Sequence, residues 1–111
     1  MIDPKLTQEV HLLHKRICPA LGDPKRLLIL YALDPGPLCV SELVEGLQIK
    51  QPTVSRHLRV LRERGLVHAE RRGTAIYYSL TDRRLLQAVD MLREVLQAQM
   101  AAEADLAQAL A

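Results

Sequence analysis

A chain of 111 residues is long enough for one domain and too short for two, since domains cluster near ~100–150 residues. It is 49% hydrophobic without a single Phe or Trp, a Leu-dominated composition that favours helices over sheet; no apolar run approaches the ~18 residues of a membrane span and no signal-peptide pattern is present, so membrane insertion is excluded and a cytoplasmic location is expected. The net charge of +2 is unevenly laid, at −1 over residues 1–49, +5 over residues 50–72 and −2 over residues 73–111, and positive charge gathered in one short segment is what nucleic-acid binding requires, a merely solvated basic face being the alternative.

Asp3-Pro4 reads as an N-cap followed by a proline at the first helical position. Leu6, Val10, Leu13 and Ile17 then recur at i, i+4, i+7 and i+11, which predicts an amphipathic first helix. Pro19 disfavours helical geometry at Cys18, so this helix ends or kinks there. Asp23-Pro24 repeats the start signal for a second helix through Leu27, Leu30, Tyr31 and Leu33, which Pro35-Gly36-Pro37 stops. Ser41 is the expected cap of a short third helix through Leu43, Val44 and Leu47.

A brief turn leads to Gln51–Arg64. Val54, Leu58 and Leu61 make one apolar stripe there, Arg56, Arg59 and Glu63 point roughly the other way, and Gln51, Thr53 and Ser55 gather at the N-terminal end. Pro52 suits a first turn, and Gly65 sits where a left-handed cap would stop the helix. A short helix with a polar, basic N-terminal end can enter a major groove, so this stretch is expected to be a DNA recognition helix. With the helix before it, it fits a helix-turn-helix over residues 41–64.

After Gly65 the period changes from 3.6 to 2. Val67–Arg71 and Ala75–Leu80 are β-rich runs around Arg72-Gly73-Thr74, which predicts a hairpin, a wing over residues 66–80 with Arg71, Arg72 and Thr74 at its tip within reach of phosphates or a minor groove. Thr81-Asp82 then starts a long terminal helix. Its stripe Leu85, Val89, Leu92 and Leu96 continues in phase through Leu106 and Leu110 after polar Gln99 and Glu103, and the Ala-rich end from Ala98 is expected to fray. Such a helix buries little within 111 residues. Residues 1–18 and 81–111 are therefore expected to pair with a second copy across a two-fold axis. The fold predicted is one mainly α domain over residues 1–111, a winged helix-turn-helix with a small β-hairpin, dimeric through its terminal helices.

Several constellations invite chemistry. Ser55 and His57 stand at i and i+2, which do not face each other on a helix, and no acid partner or Gly-rich elbow accompanies them, so no enzyme is expected. His57 borders the apolar stripe and is either a base contact or a core-edge histidine. His11, His14 and Cys18 are spaced so that one helical face would carry all three as ligands, although solvated surface histidines are the commoner outcome. Cys18 and Cys39 lack CxxC spacing and are too few for a disulfide framework.

Taken in order, these segments resemble the ArsR/SmtB winged-helix repressors of metal and thiol-stress response. The resemblance is carried by Ala20-Leu21-Gly22-Asp23-Pro24-Lys25-Arg26-Leu27 with Ile29-Leu30, by Leu38-Cys39-Val40-Ser41-Glu42-Leu43, and by Gln51-Pro52-Thr53-Val54-Ser55-Arg56-His57-Leu58. Leu61, Gly65-Leu66-Val67 and Gly73 with Tyr77-Tyr78-Ser79-Leu80 extend it, so that it covers residues 6–97. It implies a homodimer that represses an inverted-repeat operator in double-stranded DNA until an inducer binds. The DNA-contacting residues it implies here are Gln51, Thr53, Ser55, Arg56, His57, Arg59, Arg71, Arg72 and Thr74.

The departures concern sensing. Many relatives carry Cys-Val-Cys where this chain has Cys39-Val40-Ser41, so one thiolate of a soft-metal site is missing. The zinc site of other relatives begins with an Asp-x-His pair on the terminal helix; here Asp82 is present, but Arg84, Val95 and Ala98 fill the later ligand positions, and a cationic Arg repels zinc. The resemblance points to sensing at Cys39, with Cys18 on the side from which relatives bring N-terminal ligands; the spacing adds His11 and His14 as secondary candidates, and thiolate softness makes arsenite, cadmium, zinc or a reactive sulfur species the expected inducers. Two alternatives are a repressor whose cysteines are structural and a winged-helix protein-interaction module without DNA binding. The second would show acidic or apolar substitutions on the recognition face, and none are present.

Overall fold

Local signals set most of the helix boundaries in the computed structural model, which describes residues 1–111. Helix α1 (Pro4–Arg16) and helix α3 (Pro24–Ala32) start alike, each with a proline in the first turn and an aspartate ahead of it. The carboxylates of Asp3 and Asp23 accept the Lys5 and Lys25 amides at 3.0 and 2.8 Å, satisfying donors that no helical carbonyl can reach. Between them the chain breaks at Ile17 and makes a one-turn helix, α2 (Cys18–Leu21). The break falls one residue before Cys18, because Pro19 has no amide to continue the ladder.

Strand β1 (Leu38–Cys39) follows, then α4 (Val40–Leu47) and α5 (Gln51–Glu63). The N-cap of α4 is Cys39 rather than the expected Ser41: its amide donates to the Glu42 carboxylate at 3.1 Å, and Ser41 already lies in the first turn. Gln48 turns the chain with φ of +55°. At the far end of α5, Gly65 takes φ of +75°, its amide bonds to the Arg62 carbonyl and the Leu66 amide to the Leu61 carbonyl. That pair of bonds stops the helix where the glycine predicts.

Strands β2 (Val67–Arg72) and β3 (Ala75–Leu80) pair antiparallel, with Arg72 opposite Ala75 across a two-residue Gly73-Thr74 turn in which Gly73 has φ of +63°. The hairpin is not alone. Leu38 pairs with Tyr78 and Cys39 with Tyr77, giving a three-stranded sheet of order β1-β3-β2. Helix α6 (Arg84–Leu110) begins two residues after Asp82, whose carboxylate accepts the Arg84 amide, and stays helical through the Ala-rich segment expected to fray.

The core gathers Ala20, Ile29, Leu30, Leu33 and Leu43 against Val54, Leu58 and Leu61 of α5 and Leu66, Val67 and Leu86 beyond it. Polar contacts fix the base of α6 to α3: the Tyr31 hydroxyl donates to Asp90 at 2.6 Å, Arg93 reaches Asp90 at 3.0 Å and lies over the Tyr31 ring, and Arg83 pairs with Asp34 at 3.0 Å. The outer reaches of both terminal helices are bare. Helix α1 buries no residue, Leu6, Val10 and Leu13 are half exposed, and Met91, Leu92, Val95 and Leu96 are more exposed still. The radius of gyration is 17.6 Å, against ~13 Å for a compact chain of this length. No helix is long and apolar enough to cross a membrane.

Candidate nucleic-acid interface

Helix α5 is oriented by its apolar stripe. Val54, Leu58 and Leu61 are at most 1% exposed, so Gln51, Ser55, Arg56, Arg59 and Arg62 are turned to solvent, with Thr53 half-buried beside them. The Arg56 guanidinium donates to the Thr53 hydroxyl at 3.3 Å, which holds it along the N-terminal half of the helix. Lys50 occupies the N-cap and gives no side-chain acceptor, so the first turn keeps an unfilled preference for negative charge. No carboxylate lies within 4 Å of Arg56, Arg59 or Arg62. A row of unpaired cations over an uncapped helix start suits phosphate.

The wing adds cations of two kinds. Arg71 is exposed and unpaired, while Arg72 is drawn to Glu70 at 3.4 Å and lies over the Tyr77 ring at 5.1 Å. Thr74 is exposed in the turn. Arg72 is thus packed along its own hairpin, and Arg71 is the freer charge.

His57 takes the core-edge place rather than the solvent face. Its side chain is 13% exposed, its Nδ1 accepts from the Arg26 guanidinium at 3.2 Å, and its Nε2 lies 3.9 Å from Asp23. The physical reason is position: residue 57 follows the buried stripe toward α3, where the first turn of that helix brings Asp23 and Arg26. Burial pushes the imidazole below its ordinary value, Asp23 opposes this, and Arg26, Lys25 and Arg56 add to it. The ring is therefore neutral at pH 7, and the acceptor role of Nδ1 leaves its proton on Nε2. Asp23 is itself held below the usual carboxylate range, first by the Lys25 amide.

The sensing candidates do not converge. His11 and His14 are exposed on α1, and the break at Ile17 takes Cys18 off that helix face, so the i, i+3, i+7 alignment is lost. Cys18 is exposed; Cys39 is half-buried with its thiol 3.1 Å from the Ser41 hydroxyl. No three His, Cys, Asp or Glu side chains stand close enough to hold a metal ion. On α6 the Arg84 guanidinium spans both Asp82 oxygens, the closest contact being 2.6 Å, and holds that carboxyl at about 2. An aspartate so occupied by a cation is not a metal ligand. The residues of one chain do not fit a resident zinc, cadmium or arsenite.

Sequence periodicity missed β1 and Arg26. A two-residue strand has no period to read, and Arg26 finds His57 across 31 residues of chain. The only local signal was its place in the Asp23-Pro24-Lys25-Arg26 segment.

Residues 23–69 match the family described as bacterial regulatory protein, arsR family. The chain is 38% identical to a helix-turn-helix-type transcriptional regulator of Methanocaldococcus jannaschii, over 71% of this chain and 90% of that one. It spans between 52% and 59% of the length of four other curated relatives. Among solved structures it is similar to the transcriptional repressor BigR from Xylella fastidiosa, with a TM-score of 0.72 and 31% identity over 85% of this chain and 96% of that one. It is also similar to a homodimeric winged helix-turn-helix DNA-binding domain from Mycobacterium bovis, with a TM-score of 0.71 and 26% identity over 90% of this chain and 91% of that one.

Proposed function

The chain belongs to the arsR family of bacterial regulatory proteins, and we propose that it is a homodimeric repressor that reads an inverted repeat through α5 and the wing. The family is one of DNA-binding transcriptional regulators, not enzymes. The observation that carries the proposal is the outer face of α5, where Arg56, Arg59 and Arg62 have no carboxylate partner and the helix start has no side-chain cap. Gln51, Ser55 and Arg56 read base edges, Thr53 orients Arg56, and Arg59, Arg71 and Arg72 with Thr74 hold phosphate. His57 positions α5 from behind.

Residues 1–18 and 81–111 supply the dimer, residues 41–64 the helix-turn-helix and residues 66–80 the wing. What supports the dimer is the bare apolar surface of α1 and α6, which exceeds what a lone soluble chain usually leaves exposed, together with a groove of about 690 Å³ between them, lined by Leu13, Ile17, Leu21, Leu85 and Leu92 among others. A C2 pair would set two recognition helices one DNA turn apart.

Release is assigned to the thiols. Cys39 caps α4 and pairs with Tyr77 of β3, so any group added to its sulfur acts on the helix-turn-helix and the wing sheet together. Cys18, at the elbow between α1 and α3, is the second thiol. The inducer class that suits this arrangement is a thiol-reactive species rather than a metal ion held by one subunit.

The test is DNA binding by fluorescence anisotropy across a salt series. Binding weakens steeply with salt, each phosphate contact contributing about −0.9 to the log–log slope. Salt-insensitive binding, or none, overturns the proposal. For sensing, Cys39→Ser abolishes release by a thiol-reactive inducer while leaving affinity intact; release equal to the parent's makes that cysteine structural.

A further inference from the structure

Arg26 spends every face of its guanidinium on one junction. Nε donates to the Ala20 carbonyl at 2.7 Å, Nη2 to the Pro19 carbonyl at 3.0 Å, and Nη1 to Nδ1 of His57 at 3.2 Å. The two carbonyls close the elbow that joins α1 to α3, and His57 lies in the middle of α5. A second arginine repeats the pattern at the end of α5, where Arg64 donates to the Lys15 carbonyl in the last turn of α1 at 2.9 Å. The recognition helix is thus tied at its middle and its end to backbone within residues 15–20. Neither arginine has a carboxylate within 4 Å. Neutral acceptors in three directions call for a planar fork, which a lysine ammonium does not reproduce.

We infer that Arg26 is a positioning residue for DNA binding, fixing α5 to the α1–α2 elbow through His57, and that this tie opens when His57 gains a second proton. The inference rests on the DNA-binding role proposed above. Its chemistry is simple. A neutral imidazole accepts the Arg26 N–H at Nδ1, whereas an imidazolium has two donors and no acceptor and carries the same charge as its neighbour. The charged groups facing the ring are Asp23, Lys25 and Arg26 on α3 and Arg56 on α5 itself; α2 offers its carbonyls to Arg26. Burial and the three cations favour the neutral ring and Asp23 opposes them, so protonation comes below the ordinary histidine value. DNA affinity is therefore full near neutral pH and falls as the pH drops through the value of His57.

The probe is a duplex of about 30 base pairs, two half-sites with flanks, that the parent protein selects from a randomised library. Affinity is measured for the parent, Arg26→Lys, His57→Gln and the double variant, with dimerisation followed by light scattering and folding by thermal melts. Arg26→Lys weakens binding about tenfold at pH 7.5, as loss of charge-assisted hydrogen bonds does, and remains a folded dimer. His57→Gln, whose amide oxygen can accept the same N–H, loses less affinity at that pH than Arg26→Lys does. It loses most of the parent's decline in affinity at pH values below the ordinary histidine value. The two proteins differ at residue 57 alone, so the difference in profile belongs to His57. The double variant loses no more than Arg26→Lys alone, as residues that act through one contact do. The inference is overturned if Arg26→Lys binds within about twofold of the parent, if its loss of affinity merely follows a loss of folding, or if His57→Gln keeps the parent's pH profile. If the parent selects no sequence at all, the DNA-binding role fails first; if it selects one and the variants match it, only the inference about Arg26 fails.

Discussion

All twelve buried residues lie between Ala20 and Val89, whereas α1 and the part of α6 beyond Val89 bury none. Yet both regions carry the same signal. Val54, Leu58 and Leu61 on α5 and Leu6, Val10 and Leu13 on α1 follow the same helical spacing, and the first set is sealed in the chain's own core while the second is half exposed. The difference teaches that a 3.6-residue stripe specifies a face to be covered, not what covers it. Within the core, coverage comes from α3, α4 and the sheet; on the arms a single chain supplies none.

The sharpest way to break that contrast is to charge the arm. Leu92→Glu removes a Leu from each side of the proposed dimer seam, at ~1.5–3 kcal/mol per side chain or ~3–6 kcal/mol per dimer, more than a hundredfold in the dimer Kd. Light scattering then finds monomers with an unchanged helical circular-dichroism spectrum. A dimer of undiminished stability shows that the seam lies elsewhere. The matching change in the core, Leu58→Ala, costs ~2–5 kcal/mol of folding stability, read by urea unfolding at fixed protein concentration. It shifts the unfolding midpoint of the whole chain rather than its oligomeric state. If it instead produced folded monomers, the division between core and arms would be wrong.

A third substitution belongs to neither seam. Arg56 is exposed, without a carboxylate partner, and hydrogen-bonded to Thr53. Arg56→Ala therefore leaves unfolding and dimerisation alone and weakens specific DNA binding by ~1–3 kcal/mol. Equal loss on specific and scrambled duplexes would make Arg56 a phosphate contact instead of a base reader, since phosphate carries no sequence information.

What was legible in the sequence was local. The Asp-Pro starts at Asp3 and Asp23, the stripe of α5, the stop at Gly65 and the turn at Gly73 each depend on residues a few positions apart, and each is found where the sequence puts it. What was not legible depends on partners far along the chain. Strand β1 exists because Tyr77 and Tyr78 arrive beside Leu38 and Cys39, and once that strand forms it hands the N-cap of α4 to Cys39, leaving Ser41 inside the helix. The same holds for His57, whose environment is made by Asp23 and Arg26. The face shared by His11, His14 and Cys18 assumes a helix continuing through Ile17, and Pro19 ends that helix earlier. Charge was the most transferable signal, because the cations of residues 50–72 need no distant partner to stay exposed.

The smallest expected effect tests whether core and arms are energetically separate. Gly46 lies in α4, and a Cβ built there meets no atom within 4 Å. Its φ is not in the left-handed region, so alanine fits without strain and gains helix propensity by narrowing the unfolded ensemble, about 0.5–1 kcal/mol. Because α4 packs on α3 and α5 and its Leu43 is 1% exposed, that gain belongs to the folding of the core. Gly46→Ala thus raises the unfolding midpoint and leaves the dimer Kd where it was. A rise in dimer affinity without a gain in unfolding free energy would mean that α4 contributes to the proposed seam, and core and arms would not be energetically separate.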